Sequence, residues 1–150
     1  MKIKLKIFNV KPVSVNSAYY KYNKQYNEKA RNYREDFLDG LQSDYNQAQL
    51  KKLPKFAPKK HFLALSWTFF IPKPAFFTKA GHISRKSMDL DNILKLPIDF
   101  LCNKKYVERG YNNLQIDDQF IADLVAKKRA SIDGNYYIHI DIEIKLLSTI

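Results

Sequence analysis

The chain has 150 residues, enough for one domain with a sizeable core, and 45% hydrophobic with 14% aromatic content excludes a disordered basic tail. Lys and Arg number 26 against 15 Asp and Glu, and the net charge of +11 points to nucleic acid or an anionic surface as partner. No apolar run reaches the roughly 18 residues of a membrane span, no signal-peptide pattern follows Met1, and the lone Cys102 excludes an internal disulfide and a cysteine-based zinc site; the cytoplasm is the expected compartment.

Residues 2–10 alternate Lys2, Lys4 and Lys6 with Ile3, Leu5 and Ile7, the period of a half-buried strand. Residues 11–23, with Pro12, Ser14, Asn16 and Ser17, read as loop. From Tyr26 to Leu50 the period becomes helical: Ala30, Tyr33, Phe37, Leu41 and Tyr45 share a face, Glu28, Arg31 and Arg34 face water, and Gly40 weakens or bends the helix. Residues 51–60, with five lysines and two prolines, read as an exposed basic connection, and residues 61–71 as an aromatic-rich strand.

Residues 72–87 form a long loop bearing Lys73, Lys79, Arg85 and Lys86 interleaved with Phe76 and Phe77. A helix over 89–101 follows, kinked or shortened by Pro97, and then a polar loop over 103–115. Residues 120–130 and 136–146 read as paired strands about a turn at Asp133-Gly134-Asn135. The far strand alternates Ile138, Ile140, Ile142 and Ile144 with His139, Asp141, Glu143 and Lys145. The order β-α-β-α-β-β, in a single domain over 1–150, predicts an α+β fold: a mixed β-sheet with two main helices.

The acidic residues supply the chemistry. Asp89 and Asp91 converge only where the chain is extended, so the expected helix begins at Asn92 with Asp91 near its N-cap. Lys95 lies one turn beyond Asp91, and Asp99 one turn further unless Pro97 rotates it away. Asp117 and Asp118 open the next strand, and sheet pairing is expected to bring that start beside the start of the helix. Mg²⁺ keeps waters and binds through a few carboxylates, a role that suits Asp89, Asp91 and one of Asp117 and Asp118. Lys95 then holds the scissile phosphate or the leaving oxyanion. The same residues also make an ordinary helix start, with Asp91 as cap, Lys95 as its solvated partner and Asp117-Asp118 as a turn, and spacing leaves both readings open. A calcium loop is excluded because Leu94 stands where that loop needs glycine.

Three blocks resemble the RusA family of Holliday-junction resolvases, small phage and prophage endonucleases. They are Pro12-Val13-Ser14-Val15-Asn16-Ser17-Ala18-Tyr19-Tyr20, then Asp89-x-Asp91-Asn92-x-x-Lys95-x-x-x-Asp99-x-Leu101, then Asp117-Asp118-Gln119-Phe120-Ile121 with Lys127 behind it. The resemblance implies Mg²⁺-dependent, symmetric nicking of four-way DNA junctions by a homodimer in recombination and repair, with Asp89 and Asp91 as metal ligands and Lys95 as the catalytic lysine. The family's Asp-Asp-x-Gln lacks its spacer here. Anchoring on Gln119 selects Asp117 as third carboxylate and brings Lys127 into register, and is preferred; anchoring on the acidic pair selects Asp118.

For DNA contacts, Lys73, Lys79, Arg85, Lys86 and Asn16 are the candidates, with Arg85 and Lys86 nearest the cut. Phe76 and Phe77 either stack on unpaired bases or pack internally, and Tyr19 and Tyr20 either line the DNA channel or join the core. His61, His82 and His139 show no ligand spacing. A non-catalytic basic DNA-binding protein and a less selective flap or branched-DNA nuclease are the competing functions.

Overall fold

The computed structural model of the protein describes residues 1–18 and 25–150; Tyr19 and Tyr20 lie outside them. The elements are β1 (Lys2–Phe8), α1 (Glu28–Leu41), α2 (Asp44–Lys51), β2 (His61–Pro72), the single turn α3 (Lys73–Phe76), α4 (Leu90–Cys102), β3 (Ile121–Ser131) and β4 (Tyr137–Leu146). The fold is α+β with one mixed four-stranded sheet, as the strand and helix periods predict, and α1 and α4 are its two long helices.

The sheet order is β1-β4-β2-β3. β4 runs antiparallel between β1 and β2, and β3 lies parallel to β2 at the outer edge. The predicted hairpin of β3 with β4 is therefore wrong. The turn chemistry is present, since Asp133 Oδ1 accepts from the Asn135 amide at 3.0 Å and Gly134 has φ 78°. The turn carries the chain across β2 instead of pairing its own flanks. Helix α4 already returns β3 parallel to β2 and fills that side of it, so β4 takes the other side. There its four isoleucines join the core from an interior strand.

One face of the sheet is covered. Ile3, Leu5 and Ile7, Leu65, Trp67 and Phe69, and the β4 isoleucines meet Tyr33, Phe37 and Leu41 of α1 and Ile93, Phe100 and Leu101 of α4. Phe37 stacks near Trp67 at 6.2 Å and packs on Phe100 at 5.8 Å. Gly40 leaves α1 continuous to Leu41. A Cβ there would come within 2.9 Å of Ile7 Cγ2, so glycine lets the helix lie close on β1. The predicted single helix instead breaks after Leu41, where Ser43 caps α2 by accepting from the Asn46 amide at 3.2 Å. α2 then lies along the outer edge of β1. Asn46, fully buried, accepts from the Lys6 amide and donates to the Lys6 carbonyl, both at 2.8 Å. That pairing blunts one sheet edge; the β3 edge pairs with no strand among the described residues. Tyr45, expected on the buried face, is 44% exposed with the Lys6 ammonium over its ring.

The 51–60 connection carries exposed lysines, as expected. Residues 103–115 are far from a bare loop. Tyr106, Asn113 and Leu114 are buried, and Asn113 Nδ2 donates to the Phe100 and Asn103 carbonyls.

Candidate active site

The approach to α4 is a strained and anchored turn. Ser84 accepts from the Lys86 amide at 3.1 Å, and the Ser87 hydroxyl, fully buried, donates to the Ser84 carbonyl at 2.6 Å. Met88 then takes φ 64° and ψ 159°, a left-handed φ that costs a side-chain-bearing residue roughly 1–3 kcal/mol. From beneath, the Lys128 ammonium donates to Ser87 Oγ and to the Met88 carbonyl, each at 2.8 Å. The lysine of β3 that faces this turn is thus Lys128. Lys127, placed behind the site by the Gln119-anchored reading, is exposed and aligned with the outward Thr68. Strand alternation settles this only once the buried face is known, because residues 126–130 are not patterned by hydrophobicity.

This turn delivers Asp89 to the N-cap position of α4. The helix starts at Leu90, so Asp91 lies inside its first turn and the expected start at Asn92 is corrected. Asp89 has extended backbone (φ −78°, ψ 137°), yet its carboxylate accepts no first-turn amide. Both aspartates are exposed, as is Lys95, and among the described residues no ion pair joins Lys95 to Asp91. An ordinary helix start would use these groups as cap and salt bridge; here both interactions are missing. Asp89 shares a cleft with Ser14, Arg85, Met88 and Asn92. An adjoining cleft, through Ser14 and Met88, runs over Val13, Ser17, Lys29 and Asn32. The loop after β1 and the start of α4 therefore meet, which sequence spacing alone did not show for Ser14 and Asn92.

Helix α4 persists through Pro97, which is buried. Asp99, at the far end, accepts from Tyr106 Oη at 2.9 Å and Asn103 Nδ2 at 3.1 Å, with Lys105 at 3.4 Å. Asp117 and Asp118 sit at this far end too, sharing a cleft with Asp99 and Cys102. Asp117 Oδ1 accepts from the Gln119 amide at 2.9 Å. Burial pushes the Asp118 carboxyl above its usual range, and a hydrogen bond with Asp117 and the charges of Asp117 and Asp99 add to that. Burial also drives the Cys102 thiol up to about 12, with the same carboxylates contributing, so it is no nucleophile.

The expected approach of the β3 start to the α4 start is thus not found within one chain. In a β-α-β crossover the second strand begins where the helix ends. Ten residues of helix, at about 1.5 Å each, put roughly 15 Å between the two acidic groups. Among the described residues no group of three His, Cys, Asp or Glu side chains that could hold a metal occurs. Two exposed carboxylates with waters and a substrate phosphate nevertheless meet what Mg²⁺ requires. Asp89 stands on extended backbone and Asp91 inside the first helical turn; both carboxylates are exposed and, among the described residues, in no ion pair, which is the donor chemistry that demand calls for.

The basic candidates cluster on the excursion between β2 and α4. Lys73 is on α3, Lys79 lies at the tip of a turn closed by the Phe77–Ile83 bridge, and Arg85 and Lys86 precede Ser87; all four are exposed. Asn16, also exposed, lies across the cleft beside Ser14, whose hydroxyl accepts its amide. Phe76 is buried and Phe77 is 40% exposed, packed edge to face at 4.8 Å, so Phe76 belongs to the interior.

A family model described as endodeoxyribonuclease RusA matches residues 9–143. A search of curated proteins finds no match.

Proposed function

Because the chain belongs to the RusA endodeoxyribonuclease family, a nuclease family whose membership implies resolution of Holliday junctions, we propose that it is a Mg²⁺-dependent, homodimeric enzyme nicking four-way DNA junctions in symmetric pairs. The observation that carries the reading is the α4 N-terminus. Asp89 there accepts no cap bond, Asp91 beside it is exposed, and an exposed lysine stands one turn on without a salt bridge among the described residues. In a protein of charge +11, such idle acids invite a cation.

Asp89 and Asp91 would hold the Mg²⁺, which when bound activates a water and offsets charge on the phosphorus centre. Lys95 steadies the scissile phosphate or the leaving oxygen. Arg85, in the Asp89 cleft, and Lys86 hold neighbouring phosphates, aided by Lys73, Lys79 and Asn16. With the Asp89 side chain taking no first-turn amide, the N-terminus of α4 is suited to the same anion.

The third carboxylate requires a second copy in this reading. The Asp117-Asp118 pair lies roughly a helix length from Asp89 in its own protomer, so a site using both groups takes them from two chains. Within the pair we now favour Asp118, because the inward lysine of β3 is Lys128, one position beyond the register that selects Asp117.

The test is cleavage of a labelled four-way junction with Mg²⁺, with EDTA, and with Asp91→Asn. Paired symmetric nicks, lost in both controls, are expected; tight binding without nicks in Mg²⁺ or Mn²⁺ would favour a non-catalytic binder. Equal cleavage of flap and four-way substrates would favour the broader nuclease. Mixing inactive Asp91→Asn with inactive Asp118→Asn tests the shared site. Heterodimers then hold one intact site and regain nicking, whereas sites confined to single chains stay dead.

A further inference from the structure

The sheet face opposite α1 and α4 carries side chains in rows fixed by the strand registers. Phe8, Tyr137, Phe70 and Arg129 form one row, and Lys6, His139, Thr68 and Lys127 the next. Phe70 stacks on Tyr137 at 4.3 Å and 14°, His139 packs against both at 4.9 and 5.4 Å, and Phe8 lies 6.1 Å from Tyr137. These rings are not core: Phe8 is 60% exposed, and Phe70, Tyr137 and His139 are half-buried. The two rows hold three cations and no carboxylate. The remaining rows hold Asp123, Asp141 and Glu143, with Lys4 at 3.8 Å from Asp141 and Lys145 at 3.7 Å from Asp123. The face is thus divided into an aromatic, cationic half and a charge-neutralised half.

We propose that the aromatic half is a shelf for unpaired nucleotides of single-stranded DNA. Bases stack on Phe70, Tyr137 and Phe8, and phosphates face Lys127 and Arg129. Flat rings between cations match a strand whose base faces are free, which a duplex does not offer. A second copy is a poor occupant, because the cationic rows of two like-charged chains would oppose each other. The position relative to the α4 start also fits. Lys127 and Arg129 flank Lys128 on the edge strand, and Lys128 points the other way to hold Met88 beside Asp89. A strand leaving the Asp89 cleft therefore needs only to round the β3 edge, which no other strand covers among the described residues, to reach the shelf. The proposal rests on reading the chain as a DNA-acting protein, and its first arm needs no cleavage.

The experiment is fluorescence anisotropy of a labelled thymidine oligomer in EDTA, with ultraviolet cross-linking mapped by peptide mass. Phe70→Ala with Tyr137→Ala is expected to weaken binding about tenfold or more, as loss of base stacking does. Lys127→Glu with Arg129→Glu weakens it comparably and flattens its salt dependence. Asp123→Asn with Glu143→Gln, on the other half of the face, binds no more weakly than the parent. Cross-links fall on the peptides holding Phe70 and Tyr137. Thermal melting checks folding, and Phe8→Ala, at an exposed position, replaces the ring pair if that pair fails to fold. Unchanged affinity in the ring and charge variants would overturn the shelf, as would variants that alter only the sedimentation of the protein. Junction nicking in Mg²⁺ separates the two ideas: nicking without oligomer binding sinks the shelf alone, and oligomer binding without nicking sinks the nuclease reading alone.

Discussion

The Lys128 ammonium lies 2.8 Å from the carbonyl of Met88, and that bond holds a residue of φ 64° immediately before Asp89. A charge-assisted hydrogen bond of about 1.5–3 kcal/mol is comparable to the roughly 1–3 kcal/mol the backbone strain costs. Lys128 therefore fixes the direction in which the chain enters α4. Lys128→Ala is expected to lower the nicking rate about 10- to 100-fold while leaving junction affinity within a fewfold. Met88→Gly, which adopts positive φ without strain, should restore part of that rate in the double variant. A lysine that touched DNA would show no such rescue and would lose affinity first, so single-turnover rates and binding together decide.

A second relationship explains how α4 survives Pro97. Proline removes the amide that would bond the carbonyl four residues back, which belongs to Ile93. The buried Tyr33 hydroxyl, on α1, lies 3.5 Å from that carbonyl, a long contact aimed at the orphaned oxygen. Tyr33→Phe should cost about 1 kcal/mol in denaturant unfolding. In a Pro97→Ala background, where the backbone supplies its own donor, the cost should shrink toward zero. Equal costs in both backgrounds would mean that the contact is packing only.

Much of this was legible in sequence because it depends on period. The alternation at Ile3, Leu5 and Ile7 and at Ile138 to Ile144 marks strands with one buried face, and the spacing of Ala30, Tyr33, Phe37 and Leu41 marks α1. The acidic segment at the start of α4 was visible in sequence, but spacing left metal ligands and an ordinary helix start both open, and only the structure shows Asp89 without a cap bond. Neighbour relations were not. The Asp-Gly-Asn turn is real, but a turn's chemistry does not say whether its flanks pair, and the adjacency of β2 and β3 depends on the α4 crossover. For the same reason the distance from Asp117 and Asp118 to Asp89 was hidden. A crossover reverses which ends of two elements meet, and no local pattern records it. Asn46 was missed because a helix amide that bonds an edge strand looks, in sequence, like any polar residue on a helix.

Glu35 ties the 103–115 segment to α1. It accepts from Tyr111 Oη at 2.6 Å, Arg109 Nη2 at 2.9 Å and Arg34 Nε at 3.0 Å. Burial pushes its carboxyl up, but the bonds from Tyr111, Arg109 and Arg34 outweigh that and leave it below the usual 4.5. The same bond lifts the Tyr111 hydroxyl to about 12. A carboxyl that ionises lower in the folded chain contributes fully above its unfolded value, and the contribution is lost as pH falls through the folded value. Hydrogen exchange in residues 103–115 should therefore be unchanged from pH 7 to 5 after correction for intrinsic rates, and accelerate below about 4.5. Glu35→Gln should show the faster exchange at every pH; if acid loosens parent and variant alike, another group is responsible.

Asn46 makes the two edges of the sheet unequal, and removing it tests whether that asymmetry matters. Asn46→Ala leaves the Lys6 amide and carbonyl facing an apolar wall, which costs about 1–3 kcal/mol per buried unpaired group. A total loss of about 2–4 kcal/mol in unfolding free energy is expected, because water enters the vacated space and satisfies part of the demand. The β1 edge would also become available to other strands, so the variant should aggregate in proportion to concentration where the parent does not. Asn46 lies on the β1 side of the sheet, away from the α4 start, so the nicking rate per folded molecule should stay within about twofold of the parent. Protection of the Lys6 amide provides the direct reading. If that amide exchanges as slowly in Asn46→Ala as in the parent, α2 does not guard the edge through Asn46, and the buried amide has only a packing role.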